Sequence, residues 1–163
     1  MSGNGATLAI VWHSRTGTAE AMARSAARGA NSAAQLRKAA DADAEWLLKC
    51  SGYIFACPEN LATMSGMMKE MFDRAYYPLL GRIEGRPYAT LIAGGSDGSG
   101  AQAQIDRIAK GWRLRRIAEP IVHCTDAQTP EAILAPKSVP DSVIVQCHEL
   151  GAGFAEGLRQ GIF

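Results

Sequence analysis

Apolar and polar positions along the chain alternate between two periods. The run Ala6-Thr7-Leu8-Ala9-Ile10-Val11-Trp12 is short, β-branched and continuous, which predicts a strand buried on both faces. Ala19, Met22, Ala23, Ala26 and Ala30 then recur at helical spacing and predict an Ala-rich helix with a narrow apolar stripe. The same alternation continues to the end of the chain. Strands are predicted near 6–13, 34–39, 53–57, 87–93 and 117–124, and helices near 18–30, 43–50, 65–80, 101–114 and 141–160. The second strand is the weakest, because Gln35-Leu36-Arg37-Lys38 also reads as an extended connection. In the third helix Met64, Met67, Met68, Met71, Phe72, Ala75 and Leu79 form one stripe, read as core packed against a sheet. Pro120, Pro130, Pro136 and Pro140 punctuate a longer irregular connection around 125–140, read as a surface excursion.

Strict strand–helix alternation predicts an α/β fold with right-handed crossovers, a five-stranded doubly wound parallel sheet and helices on both faces, a three-layer sandwich. The 163 residues are read as a single domain spanning 1–163. In open sheets of this kind ligands sit outside the strand carboxyl ends. That rule selects three loops: 13–18, 58–65 and 94–100.

The first loop carries the clearest chemistry. Ser14-Arg15-Thr16-Gly17-Thr18 joins a strand to a helix whose first N–H groups have no intrahelical partner. Hydroxyls, a flexible Gly17 and a positive helix end together make an anion cup suited to a phosphate monoester. Taken alone, the same Ser/Thr cluster is also what an ordinary helix cap looks like.

Composition narrows the functions. With 17 Lys+Arg against 16 Asp+Glu there is no global charge to attract nucleic acid or an anionic membrane. The first apolar run lacks a basic region before it and is interrupted by His13-Ser14-Arg15, so it is read as neither signal peptide nor membrane span, and the cytoplasm is the expected location. Cys50, Cys57, Cys124 and Cys147 are scattered and form no CxxC pair; Cys57, Cys124 and Cys147 are read as small buried hydrophobes. His13, His123 and His148 share no ligand spacing, and no metal is expected.

The second loop, Cys57-Pro58-Glu59-Asn60-Leu61-Ala62-Thr63-Met64-Ser65-Gly66, runs into Met67-Met68-Lys69-Glu70-Met71-Phe72-Asp73-Arg74. This resembles the flavodoxin-like family, in particular its NAD(P)H-dependent FMN reductase and quinone reductase branch. Ala93-Gly94-Gly95-Ser96-Asp97-Gly98-Ser99-Gly100 is similar to the family's Gly-rich third loop, and the anion cup to its phosphate loop. The resemblance spans roughly 6–116, with the three loops in order.

It implies FMN as cofactor and NAD(P)H as transient reductant, with electrons passing to a quinone or similar small acceptor. Ser14, Arg15, Thr16, Gly17 and Thr18 would hold the phosphate. Pro58, Glu59, Asn60, Leu61, Ala62, Thr63 and Met64 would flank the ring on one side, and Gly94, Gly95, Ser96, Asp97 and Gly98 on the other. No catalytic side chain is implied. Relatives of this branch form dimers or tetramers, so a homodimer or homotetramer is implied; Tyr76 and Tyr77 are read as contact residues or as helix-end packing. Three departures stand out. Asn60 replaces an aromatic or Arg, Ala62 stands where relatives have Gly, and Glu59 brings a negative charge toward the ring. An electron-transfer flavodoxin and a flavin-free binding module are the alternative readings. The basic group Arg107, Lys110, Arg113, Arg115 and Arg116 is either a solvated face or a site for an NADPH phosphate.

Overall fold

A computed structural model describes residues 5–163. Its strands and helices follow one another as β1 (Leu8–Trp12), α1 (Thr18–Ala30), β2 (Ala34–Lys38), α2 (Ala44–Lys49), β3 (Gly52–Asn60), β4 (Thr63–Met64), α3 (Gly66–Leu79), β5 (Pro87–Gly94), α4 (Ser99–Gly111), β6 (Arg115–Arg116), β7 (Ile121–Cys124), α5 (Pro130–Leu134) and α6 (Asp141–Gln160). The sheet runs β2-β1-β3-β5, with both β6 and β7 on the outer side of β5, all parallel. Only β4 is antiparallel, against the end of β3.

The strands are apolar throughout because each face of the sheet meets helices. Ala9, Val11, Tyr53, Phe55, Cys57 and Ile92 pack toward α2, α3 and α4. Their sequence neighbours Leu8, Ile10, Trp12, Ile54, Ala56 and Leu91 pack toward α1 and α6. Alanine and glycine let α1 and α6 meet almost backbone to backbone. A Cβ on Gly151 would collide with the Ala26 backbone, and one on Gly29 with the His148 backbone. Ser25 Oγ donates to the Ile144 carbonyl at 2.6 Å across the same seam.

One expectation is met and four change. The weak second strand forms, in register with β1 from Leu8 opposite Ala34 to Trp12 opposite Lys38. The third strand continues past 57 to Asn60 and turns back as β4, so residues 58–64 are a β-hairpin rather than a loop. The last strand is split: Pro87 pairs with Arg115 but Leu91 pairs with Ile121, so two extra residues are accommodated around Pro120, which has no N–H for a ladder. The Met stripe is core except at Met67, which is 41% exposed, and Cys124 is only partly buried.

Candidate functional site

The strand order reverses between β1 and β3, and a cleft opens outside their carboxyl ends. It encloses about 570 Å³ including its open mouth. Its walls come from the turn after β1 (Ser14, Arg15, Thr16, Thr18, Ala19), the end of β3 (Pro58, Glu59, Asn60) and the end of β5 (Ala93, Gly94, Gly95). The segment after β7 closes it with Thr125, Ala127, Ile133, Leu134 and Lys137.

The cup is built by the turn into α1. Gly17 caps the helix at φ 105°, a conformation that favours glycine. Its N–H donates to Ser14 Oγ at 3.0 Å, which leaves the Ser14 proton free to donate elsewhere. Thr18, at the first helical position, lines the cleft and is 3% exposed. Among the described residues its Oγ1 is the one buried side-chain polar atom without a hydrogen-bond partner. Leaving a buried hydroxyl unpaired costs about 1–3 kcal/mol, so this atom marks a place for a guest acceptor. Arg15 is exposed beside it.

Of the residues expected along the ring, Pro58, Glu59, Asn60, Gly94 and Gly95 are brought together. The rest of the hairpin stands outside the cleft lining. Leu61 and Ala62 form its two-residue turn at φ 53° and 65°, Leu61 is 98% exposed, and Thr63 Oγ1 donates to the Asn60 carbonyl. Met64 is buried, its N–H donating to Gln104 Oε1 of α4 at 2.8 Å. Ala62 therefore holds a left-handed backbone despite its Cβ. Leu and Ala there replace the Asn-Gly that such turns favour, at about 1–2 kcal/mol per residue.

Glu59 also differs from expectation. Its carboxylate accepts from the Ala101 N–H at 3.0 Å, so its charge is directed at the start of α4 rather than left free over the cleft. Gly100 allows this approach, since a Cβ there would collide with the Ala62 carbonyl. In the third loop Ser96, Asp97 and Gly98 likewise lie off the lining. Asp97 accepts from the Gly98 and Ser99 N–H groups at 2.8 and 3.0 Å and from the Ser99 hydroxyl at 2.5 Å. Those donors, the Ser99 hydroxyl foremost, hold its carboxyl below the usual range.

Beneath the cup, His13 Nδ1 lies 2.9 Å from the buried Ser65 Oγ. Burial first, then the Arg15 charge, lowers its pKa from the ordinary value. Burial pushes the Cys57 thiol up to about 12, which makes it an inert core group. The Arg/Lys group of α4 and β6 is far from all this. Arg115 and Arg116 pair with Pro87 and Tyr88 at the amino end of β5, opposite the cleft, and Arg116 contacts Asp106 at 3.1 Å.

The wall from 125–137 was expected to be a surface excursion, and its contribution to the cleft was missed. Thr129-Pro130-Glu131 carries a helix-start signal, and Thr129 Oγ1 accepts from the Ala132 N–H at 3.1 Å. Nothing in composition shows that this short helix folds back over the first turn.

The sequence profile of the NADPH-dependent FMN reductases matches residues 29–120. The chain belongs to this family. The match covers the second and third loops, while the anion cup lies before it. Among curated proteins nothing matches the chain. Solved structures share the fold. A flavodoxin from the domain Archaea superposes with TM-score 0.75 at 18% identity, covering 94% of this chain and 99% of that one. The WrbA-like flavodoxin of Agrobacterium tumefaciens gives 0.73 at 16% identity, covering 95% and 98%. The Flv1 flavodiiron core of Synechocystis gives 0.76 at 17% identity, covering 98% of this chain but 37% of the larger protein. Among the described residues no helix is long and apolar enough to cross a membrane, and no His/Cys/Asp/Glu group could hold a metal ion.

Proposed function

We propose that the cleft binds FMN, and that this family member passes electrons from NAD(P)H through the flavin to a quinone or similar small acceptor. The observation that carries the reading is the unpaired Thr18 hydroxyl at the start of α1, buried inside the cleft that the strand reversal opens. Bound flavin would supply the redox chemistry itself. The chain's residues would bind and orient it.

Ser14, Thr16 and Thr18 offer hydroxyls to a phosphate, and the first N–H groups of α1 offer backbone donors in a positive helix-end field. Arg15 adds charge at the rim. The ring would lie between Pro58–Asn60 and the Gly94–Gly95 backbone. Ile133 and Leu134, both exposed in the protein alone, would be covered by it. Leu61, Ala62, Thr63 and Met64 would shape that side from behind, as would Ser96, Asp97 and Gly98 on the other.

Hydride transfer to a flavin requires no general acid or base, and no side chain here is assigned one. A net charge of +1 favours small-molecule reduction over an acidic carrier steered to a basic partner. Tyr77, 78% exposed on α3, is the contact proposed for a homodimer or homotetramer.

The test is a fluorescence titration of flavin-stripped protein with FMN and with riboflavin, followed by anaerobic addition of NADH or NADPH. Saturable FMN binding that riboflavin does not match, and bleaching of the flavin by nicotinamide, are expected. A protein that binds neither flavin overturns the reading; one that binds FMN but is not reduced by either nicotinamide is an electron carrier instead.

A further inference from the structure

The chain after β7 returns across the cup and is fastened there. The Lys137 N–H donates to the Thr16 carbonyl at 2.8 Å, and the Lys137 carbonyl lies 3.8 Å from where a Cβ on Gly17 would point. Lys137 lines the cleft together with Arg15. Its Nζ donates to the carbonyls of Ile133 at 3.0 Å and Ala135 at 2.5 Å, at the end of α5. An ammonium has three donors, so one is left over. Among the described residues no carboxylate pairs with Lys137 or with Arg15. The one carboxylate in the cleft wall, that of Glu59, accepts from the Ala101 N–H. The cleft wall therefore combines an orphaned hydroxyl with a partly buried lysine whose ammonium is held by two main-chain carbonyls at the end of α5. Those carbonyls restrict where the ammonium can go, which lowers the entropy lost when it meets an anion.

We infer that Lys137 is the residue that makes this cup select a phosphate monoester, its ammonium pairing with the phosphate from the segment strapped over the first turn. The inference rests on the reading of the cleft as an FMN site. It assigns binding selectivity to a residue outside all three loops at the strand ends.

Flavin-stripped wild type, Lys137→Gln and Lys137→Arg are titrated with FMN and with riboflavin, each at low and high salt. Lys137→Gln keeps the backbone bond to Thr16, so the strap stays fastened. The expected result is FMN binding weakened about ten- to a hundredfold, the worth of a hydrogen bond to a charged group. Riboflavin binding stays unchanged, FMN binding becomes less sensitive to salt, and Lys137→Arg retains most of the FMN preference. Equal weakening of both flavins would show that Lys137 only braces α5, and overturns the inference. So does an FMN preference that survives in Lys137→Gln, with the flavin reading intact. A wild type that binds neither flavin, or both equally, removes the inference together with the phosphate cup.

Discussion

Thr18→Val should move stability and binding in opposite directions. The substitution keeps the β-branched shape at the first position of α1 and exchanges one hydroxyl for a methyl group in a site that is 3% exposed. In flavin-free protein that hydroxyl has no hydrogen-bond partner, and burying it unpaired costs about 1–3 kcal/mol. Allowing for imperfect methyl packing, the variant should gain about 1 kcal/mol, raising Tm by about 2–4 °C in a chain of this size. In the proposed FMN complex the wild-type hydroxyl would donate to a charged phosphate, an interaction worth about 1.5–3 kcal/mol. The variant should therefore bind FMN about ten- to a hundredfold more weakly and riboflavin equally well. Thermal denaturation with and without FMN reads both effects: the variant is the more stable protein alone, and saturating FMN reverses the order. A flavin-free variant less stable than wild type would refute the claim that the hydroxyl is unpaired. Unchanged FMN affinity would refute its place in the cup.

Three further outcomes follow from the geometry. Ala62→Gly removes a Cβ from a residue at φ 65° and should stabilise the protein by about 1 kcal/mol in urea denaturation; destabilisation would mean the turn is not strained. Gly151→Ala should destabilise by about 2–3 kcal/mol by the same assay, since the added carbon meets the Ala26 backbone and not a side chain that can turn away. The depressed His13 pKa means the unfolded chain takes up this proton first on acidification. The stability held by neutral His13 is thus full above its ordinary pKa of 6.5 and is lost as pH falls below it. His13→Gln should flatten the loss of stability as pH falls below about 6.5; an unaltered slope there would assign it to other groups.

The parts of the fold that were legible are those where periodicity and burial agree. Leu8 to Trp12 is apolar at every position because both sheet faces are covered, and the Met68, Met71, Phe72, Ala75, Leu79 stripe turns with the helix that carries it. The hairpin was invisible for a chemical reason. Pro58 interrupts the run and Leu61-Ala62 lacks the Asn-Gly signature, so neither the strand extension nor its turn shows in the residues. In the site, the cup could be found because hydroxyls and Gly17 stand together in the chain. Lys137 could not, since it reaches Thr16 only through a fold-back of more than a hundred residues' separation. Nor does the sequence show that Arg74, exposed on α3, donates from its guanidinium to the Ala42 and Ala39 carbonyls at 2.7 and 2.9 Å and ties α3 to the chain after β2.

The two rims of the sheet bear on how this protein behaves in a crowded solution. A net charge of +1 supplies almost no mutual repulsion between molecules, so colloidal stability has to come from local features. An open strand rim is a template on which another chain can add. At one rim β2 is only five residues long, and Arg37 and Lys38 occupy its last two places, where a docking strand would have to desolvate them. At the other, the break around Pro120 divides the rim into pieces of two and four residues that are out of step with each other. Neither rim offers a long, flat, apolar ladder, and the protection is written into strand length, register and two local charges instead of net charge.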